Sequence, residues 1–187
     1  VYYKVSKDDL IPVIGSEDVI IKKANPAVTD PLARDLTYNG SAQKLVKAGS
    51  AKGGKLLYAL GKNADEAPKE DQYSEKVPSK TAAGTYYVWY KTIGDENHNN
   101  IGPACVPATI KRKDISEAEI KLSDKVLPYS GVTQIVYATS VELNGEAIPS
   151  KAYKVTGGFS GLQPGEYTLT LEGVGNYTGQ ASEVWII

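Results

Sequence analysis

Thr85-Tyr86-Tyr87-Val88-Trp89-Tyr90 alternates strictly, with Tyr86, Val88 and Tyr90 on one face of an extended chain and Tyr87 and Trp89 on the other. Successive side chains of a strand point to opposite sides, so a period of two rich in aromatic and β-branched residues reads as a strand. Glu166-Tyr167-Thr168-Leu169-Thr170-Leu171 repeats the pattern more simply, with Tyr167, Leu169 and Leu171 inward and the threonines outward. Further strands are expected at 55–60, 106–111, 134–141, 152–156 and 183–187. Asn144-Gly145, between Val141/Leu143 and Ala147/Ile148, is the two-residue turn of a β-hairpin, because both residues of such a turn take positive φ. Helix signals are sparse. Residues 63–72 are charged, lack an apolar face and contain Pro68, so they read as a polar loop. Ser116-Glu117-Ala118-Glu119 has the form of a capping box before Ile120 and Leu122, but the apolar run behind it is short and soon meets Pro128, which weighs against a helix.

The sequence also repeats itself. Leu36-Thr37-Tyr38-Asn39-Gly40-Ser41-Ala42-Gln43-Lys44-Leu45-Val46 returns, one residue shorter, as Leu127-Pro128-Tyr129-Ser130-Gly131-Val132-Thr133-Gln134-Ile135-Val136. Downstream, Ala83-Gly84-Thr85-Tyr86 matches Pro164-Gly165-Glu166-Tyr167, and Gly94 with Asn97-His98-Asn99 matches Gly175-Asn176-Tyr177-Thr178. Self-similarity at this spacing marks a repeat architecture, with units expected at 25–113 and 114–187. Residues 1–24 carry the end of the same pattern: Val1-Tyr2-Tyr3-Lys4 resembles Val88-Trp89-Tyr90-Lys91, and Val19-Ile20-Ile21-Lys22-Lys23 resembles Ala108-Thr109-Ile110-Lys111-Arg112. They read as the C-terminal hairpin of a preceding, truncated repeat, without a complete core of its own.

Composition narrows the function. The 187 residues carry 21 Lys+Arg against 22 Asp+Glu, net −1, which argues against nucleic-acid binding by bulk electrostatics. Residues 25–113 carry net +4 and 114–187 net −5, a modest aid to packing units against each other once salt screening is allowed for. One Cys (Cys105) excludes an internal disulfide framework and a cysteine metal cluster. No stretch approaches the roughly 18 continuous apolar residues of a membrane-spanning helix, so membrane insertion by this segment is not expected. No basic-then-apolar leader opens the chain, and with Val1 first and no Met it reads as an internal fragment of a longer protein.

The run Leu36 to Val46, the glycine turn Gly49-Ser50-Ala51-Lys52-Gly53-Gly54, Ala82-Ala83-Gly84-Thr85-Tyr86 and Gly94-Asp95-Glu96-Asn97-His98-Asn99 together resemble the tandem immunoglobulin-like repeats of bacterial surface and secreted proteins, as does the Gly175-Asn176-Tyr177-Thr178-Gly179 ending. The resemblance covers nearly the whole chain, with loop 63–72 as a local elaboration. It implies tandem immunoglobulin-like β-sandwiches in a bacterial extracellular or cell-surface protein, serving as spacers or adhesive segments. The expected partners are neighbouring repeats of the same chain and a glycan or host or cell-surface protein. No cofactor is implied.

Each candidate residue carries a structural reading beside a functional one. Tyr86 and Tyr167 follow Gly at the start of a strong strand, the setting of a tyrosine corner, in which the ring packs in the core and the hydroxyl bonds nearby backbone. Tyr38 and Tyr129 precede turns and read as core-edge anchors. Tyr87 and Trp89 stand side by side on the outer sheet face where the second unit has Thr168 and Thr170, so the fold itself does not demand aromatics there. They suit cover by loop 63–72, a neighbouring unit or the N-terminal hairpin, cross-strand stabilisation, or a ligand platform for sugar rings or an apolar partner. They are the candidate ligand-binding residues. Asp95, Glu96, Asn97, Asn99 and Asn100 surround the lone His98, dense in oxygen ligands but without the spacing of a calcium loop, and a polar turn explains them more simply. No Ser or Cys is placed by a nucleophile motif, so no catalytic residue and no enzyme activity is expected. Cys105 reads as a small apolar residue at the start of a strand. Asn39-Gly40-Ser41 and Asn176-Tyr177-Thr178 fit the N-glycosylation pattern but sit where turns are expected.

Overall fold

The computed structural model describes every residue from Val1 to Ile187. Strands make up 52% of it, and helix is confined to two single 3-10 turns, Glu70–Gln72 and Ser150–Ala152. The chain is all-β, as the alternation requires. No helix is long and apolar enough to cross a membrane.

The alternating stretch lies inside the strand Gly84–Gly94, which pairs antiparallel with Ile101–Lys111 on one side and Gly54–Gly61 on the other. Leu36–Thr37 adds parallel to the far edge of Ile101–Lys111 and completes a four-stranded sheet. Short antiparallel pairs, Leu32–Ala33 with Val46–Lys47 and Gln43–Lys44 with Ser79–Lys80, bring Leu45 and Val46 onto this sheet. The core comprises Leu36, Leu45, Val46, Leu56, Tyr58, Val88, Ala108 and Ile110, with Tyr86 and Tyr90 packed against it. Leu56, Tyr58, Val88, Ala108 and Ile110, with Tyr86 and Tyr90, are the residues that the period of two turns inward.

A second, larger core occupies residues 115–185. There Glu166–Gly173 lies between Tyr153–Gly157 and Gln180–Ile186, while Glu119–Leu122, Ala138–Leu143 and Glu146–Ala147 form a separate three-stranded sheet. Trp185 is fully buried, stacks on Tyr167 with ring centroids 4.7 Å apart, and donates its indole N–H to the Gly158 carbonyl at 2.7 Å. Removing a side chain of that size from water contributes roughly 3 kcal/mol, provided its one polar atom is satisfied, as here. The Asn144-Gly145 hairpin turn forms with φ of 53° and 78°.

The repeat written in the sequence is visible atom by atom. Gln43 donates its amide to the Thr37 carbonyl at 3.0 Å, and Gln134 does the same to Pro128 at 2.9 Å. Between them Gly40 and Gly131 hold φ of 78° and 74°, the left-handed conformation that a side chain disfavours. Leu45 and Val136 are fully buried, and their N–H groups bond the Pro78 and Phe159 carbonyls. The two copies stay in step to this point, so the expected loss of one residue does not fall between Leu36 and Leu45. Tyr86 donates its hydroxyl to the carbonyl of Ala82 at 2.7 Å, and Tyr167 to that of Gln163 at 2.8 Å. Both tyrosine corners form.

The capping-box stretch forms no helix, in keeping with the short apolar run behind it: it is a turn, closed by Ala118 N–H to the Ile115 carbonyl, and Glu119–Leu122 is a strand that buries Ile120 and Leu122 by alternation. The Ser116 N–H, which a cap would use, goes instead to the Asp114 carboxylate at 2.9 Å. Two local expectations fail. The expected strand 134–141 divides into Gln134–Ile135 and Ala138–Leu143, with Val136 bonding outside both. Tyr129 is 57% exposed, so it anchors no core edge. Its counterpart Tyr38 packs against the first core because a ring from the second half covers it.

Residues 1–24 form a hairpin, Tyr2–Val5 with Val13–Ser16, that pairs with no other strand. It is tied to the rest at Ala24, whose N–H bonds the Asn97 carbonyl at 3.0 Å and whose carbonyl accepts the Asn99 N–H at 2.8 Å, and at Lys23, whose carbonyl accepts the Asn99 side-chain amide at 3.2 Å.

Candidate functional site

Alternation sends Tyr87, Trp89 and Lys91 to the outer face of the strand Gly84–Gly94, away from the first core. An exposed pair of rings does not result. Trp89 is 7% exposed and Tyr87 is half-buried. The loop at 62–73 folds back over this face. The Asn63 carbonyl accepts the Trp89 indole N–H at 3.0 Å, and the Asn63 side chain fixes the turn by accepting the N–H groups of Asp65 and Glu66. Gln72 closes the other end, its side-chain oxygen accepting the Lys69 N–H at 3.0 Å.

Lys91, two residues beyond Trp89 on the same face, is 6% exposed. Its ammonium pairs with the Glu70 carboxylate and lies 4.4 Å from the centre of the Tyr73 ring. A charge this buried is costly unless compensated, and the carboxylate and the ring's negative face supply the compensation. Cys105 stands directly across the ladder from Trp89, and burial pushes its thiol up, with Asp65 adding to the effect. Burial likewise raises the Tyr73 hydroxyl, with Glu70 and Cys105 contributing, and that hydroxyl is buried without a hydrogen-bond partner. The cluster is therefore a small satellite core built from polar and aromatic parts. Its one sequence signal was the aromatic pair itself, which needs a cover. Nothing in the sequence paired Lys91 with Glu70, because the loop supplies that contact across twenty-one positions.

Beside this loop lies a cleft of about 450 Å³ whose rim carries Lys62, Lys69, Glu66 and Asp71 and no Ser, Cys or His. Its lining thus carries two basic and two acidic side chains.

His98 pairs through Nδ1 with the Asp95 carboxylate at 2.6 Å, and this hydrogen bond, helped by the Asn97 N–H, holds the Asp95 carboxyl below its usual range. The imidazole sits against Gly53, where a Cβ would fall 2.5 Å from Nε2. The side chain locks two turns together. No group of three or more His, Cys, Asp or Glu side chains gathers at a point that would hold a metal ion.

The two cores meet at a junction of their own. The strand pair Lys113–Asp114 with Tyr177–Thr178, parallel, ties the start of the second half to its own loop. Asn176, at the tip of that loop, accepts the Ala83 N–H through its side chain at 2.8 Å, reaching the turn just before the first tyrosine corner. Tyr177 meets Tyr38 edge to face, with centroids 5.3 Å apart and the ring planes at 72°. Burial pushes the Tyr177 hydroxyl up, with Tyr38 contributing. Lys113 pairs with Glu146 at 2.7 Å, which lowers the Glu146 carboxyl. In the sequence Asn176 looks like a turn residue within an N-glycosylation pattern, with no sign that its amide reaches Ala83. No protein-family model matches the chain, and no match is found among the curated proteins or the solved structures.

Proposed function

We propose that this chain is a set of non-catalytic structural repeat modules, immunoglobulin-like β-sandwiches in tandem, that act as a spacer or adhesive stalk in a bacterial extracellular protein. The observation that carries the reading is the junction, where Asn176 and Tyr177 of one repeat engage Ala83 and Tyr38 of the preceding one. A spacer must transmit position from one end to the other. For that, consecutive modules need a fixed mutual orientation rather than a free linker, and residues 112–114 leave almost no slack. The paired tyrosine corners and the matching Gln43 and Gln134 bonds support the tandem reading, since a tyrosine corner is a hallmark of the immunoglobulin-like sandwich.

The alternative, a carbohydrate- or protein-binding module built on Tyr87 and Trp89, finds no support in a Trp89 that the 62–73 loop covers. Small-angle X-ray scattering separates a spacer from freely hinged beads. The reading expects one fixed arrangement of the two cores to fit the whole curve, and the Asn176→Ala, Tyr177→Ala double variant to require an ensemble. A wild-type curve that already requires an ensemble would overturn it.

A further inference from the structure

The N-terminal hairpin and the residues just after it leave large apolar side chains in water: Val1 is 72% exposed, Val19 66% and Ile21 93%. Its ladder register shows what those side chains are for. Tyr3 faces Gly15 in the hairpin, Tyr90 faces Ala104 in the first repeat, and Leu171 faces Ala181 in the second, each time a large residue opposite a small one. One step along, Tyr2 faces Ser16, Trp89 faces Cys105, and Thr170 faces Ser182. The next step pairs Val1 with Glu17 through both backbone bonds, as Val88 pairs with Val106 and Leu169 with Glu183. Even the acidic residue at this position has its counterpart, in Glu183. Beyond the hairpin the same register aligns Val19 with the buried Ala108 and Trp185, and Ile21 with the buried Ile110. The exit matches as well, for Ala24 bridges His98 in parallel as Lys113 bridges Tyr177.

We infer that residues 1–21 are the closing hairpin of another repeat core, and that its exposed face receives the front strands of a like repeat, a stretch equivalent to 25–87, carried immediately upstream in the same polypeptide. Upstream is the side that the topology dictates, because in both closed repeats the front strands precede the hairpin. Val1, Tyr3, Val19 and Ile21 face that core, while Tyr2 and Lys4 lie on the outer side with Trp89 and Lys91. The inference rests on the tandem-repeat reading but not on the rigidity of the junction.

The register gives the splice point. Because Val1 corresponds to Val88, a copy of residues 25–87 fused directly to Val1 of the full 187-residue chain builds a hybrid repeat in step. A copy of 25–86 fused to Val1 is one residue out of step and turns every inward side chain outward. Hydrogen exchange reads the amides of Tyr3, Gly15 and Ile21, with the amides of 25–187 in the same molecule as the folding control. The expected result is exchange about a thousandfold slower at the hairpin in the in-step chimera, no slowing in the out-of-step chimera, and loss of the slowing with Ile21→Asp. Hairpin amides that exchange in the in-step chimera as fast as in the parent chain, or equal slowing in both chimeras, would overturn the inference. Junction rigidity is read separately by scattering from the parent chain, so the two ideas fail independently.

Discussion

Tyr38 and Tyr177 belong to different cores and meet edge to face across the junction, with ring centroids 5.3 Å apart. Each ring thereby covers apolar surface that the partner half would otherwise leave in water. The contact also explains an asymmetry between repeats: Tyr38 is covered, whereas Tyr129, its counterpart in the second repeat, is 57% exposed.

A double-mutant cycle measures this pairing. Tyr38→Ala and Tyr177→Ala should show a coupling of about 0.5–1.5 kcal/mol in denaturant unfolding, the range for aromatic pairs beyond their buried area. Asn176→Ala should cost about 1 kcal/mol, since it strips the Ala83 N–H of its acceptor. Strict additivity of the two tyrosine substitutions would show that the rings do not interact in solution.

Trp89 should behave as a core residue. Trp89→Ala is expected to lower stability by about 3 kcal/mol or more, by the cavity left under the loop and the unpaired Asn63 carbonyl. Retardation of the wild-type chain on a polysaccharide gel that Trp89→Ala abolishes without lost stability would instead establish the binding platform.

The buried Lys91 offers an asymmetric test. Lys91→Met keeps the aliphatic stem and removes the charge, so stability should change by less than about 1 kcal/mol in either direction. Glu70→Ala leaves the ammonium without its carboxylate and should cost about 1 kcal/mol, moderated because Glu70 itself is largely exposed. Thermal unfolding of both variants checks the order.

Tyr90 should resist ionisation. Burial pushes its hydroxyl up to about 12, with a hydrogen bond to Asp30 as the second cause. A tyrosine whose folded pKa lies above its unfolded value contributes stability that is fully present below about pH 10 and is lost as pH rises towards 12, because the unfolded chain releases the proton first. Ultraviolet titration should show a late-ionising fraction that Tyr90→Phe diminishes, and stability should decline through that window.

Much of the fold was legible because its signals are local. The period of two at 85–90 and 166–171, the Asn144-Gly145 turn and the recurrence of 36–45 at 127–136 each depend on a few adjacent residues. The capping-box stretch was ambiguous, because Ser, Glu and Ala suit a helix start; the short apolar run and Pro128 weighed against a helix, but the alternation of Ile120 and Leu122 alone was too short to announce the strand that forms there. What the sequence could not reveal was contact at long range. The cover over Trp89 comes from a loop with no periodicity, and Asn176 looks like any turn asparagine until its amide reaches Ala83, ninety-three positions away. Repeats make surfaces as well as cores, and surfaces leave no periodic trace.

The central claim is that the two repeats hold one mutual orientation through the junction. Backbone residual dipolar couplings measured on residues 25–112 and 115–187 of the intact chain test it most directly. The account predicts that a single alignment tensor fits both sets, with equal magnitude and orientation. Two tensors, one of them much reduced in magnitude as for a module on a free tether, would contradict it.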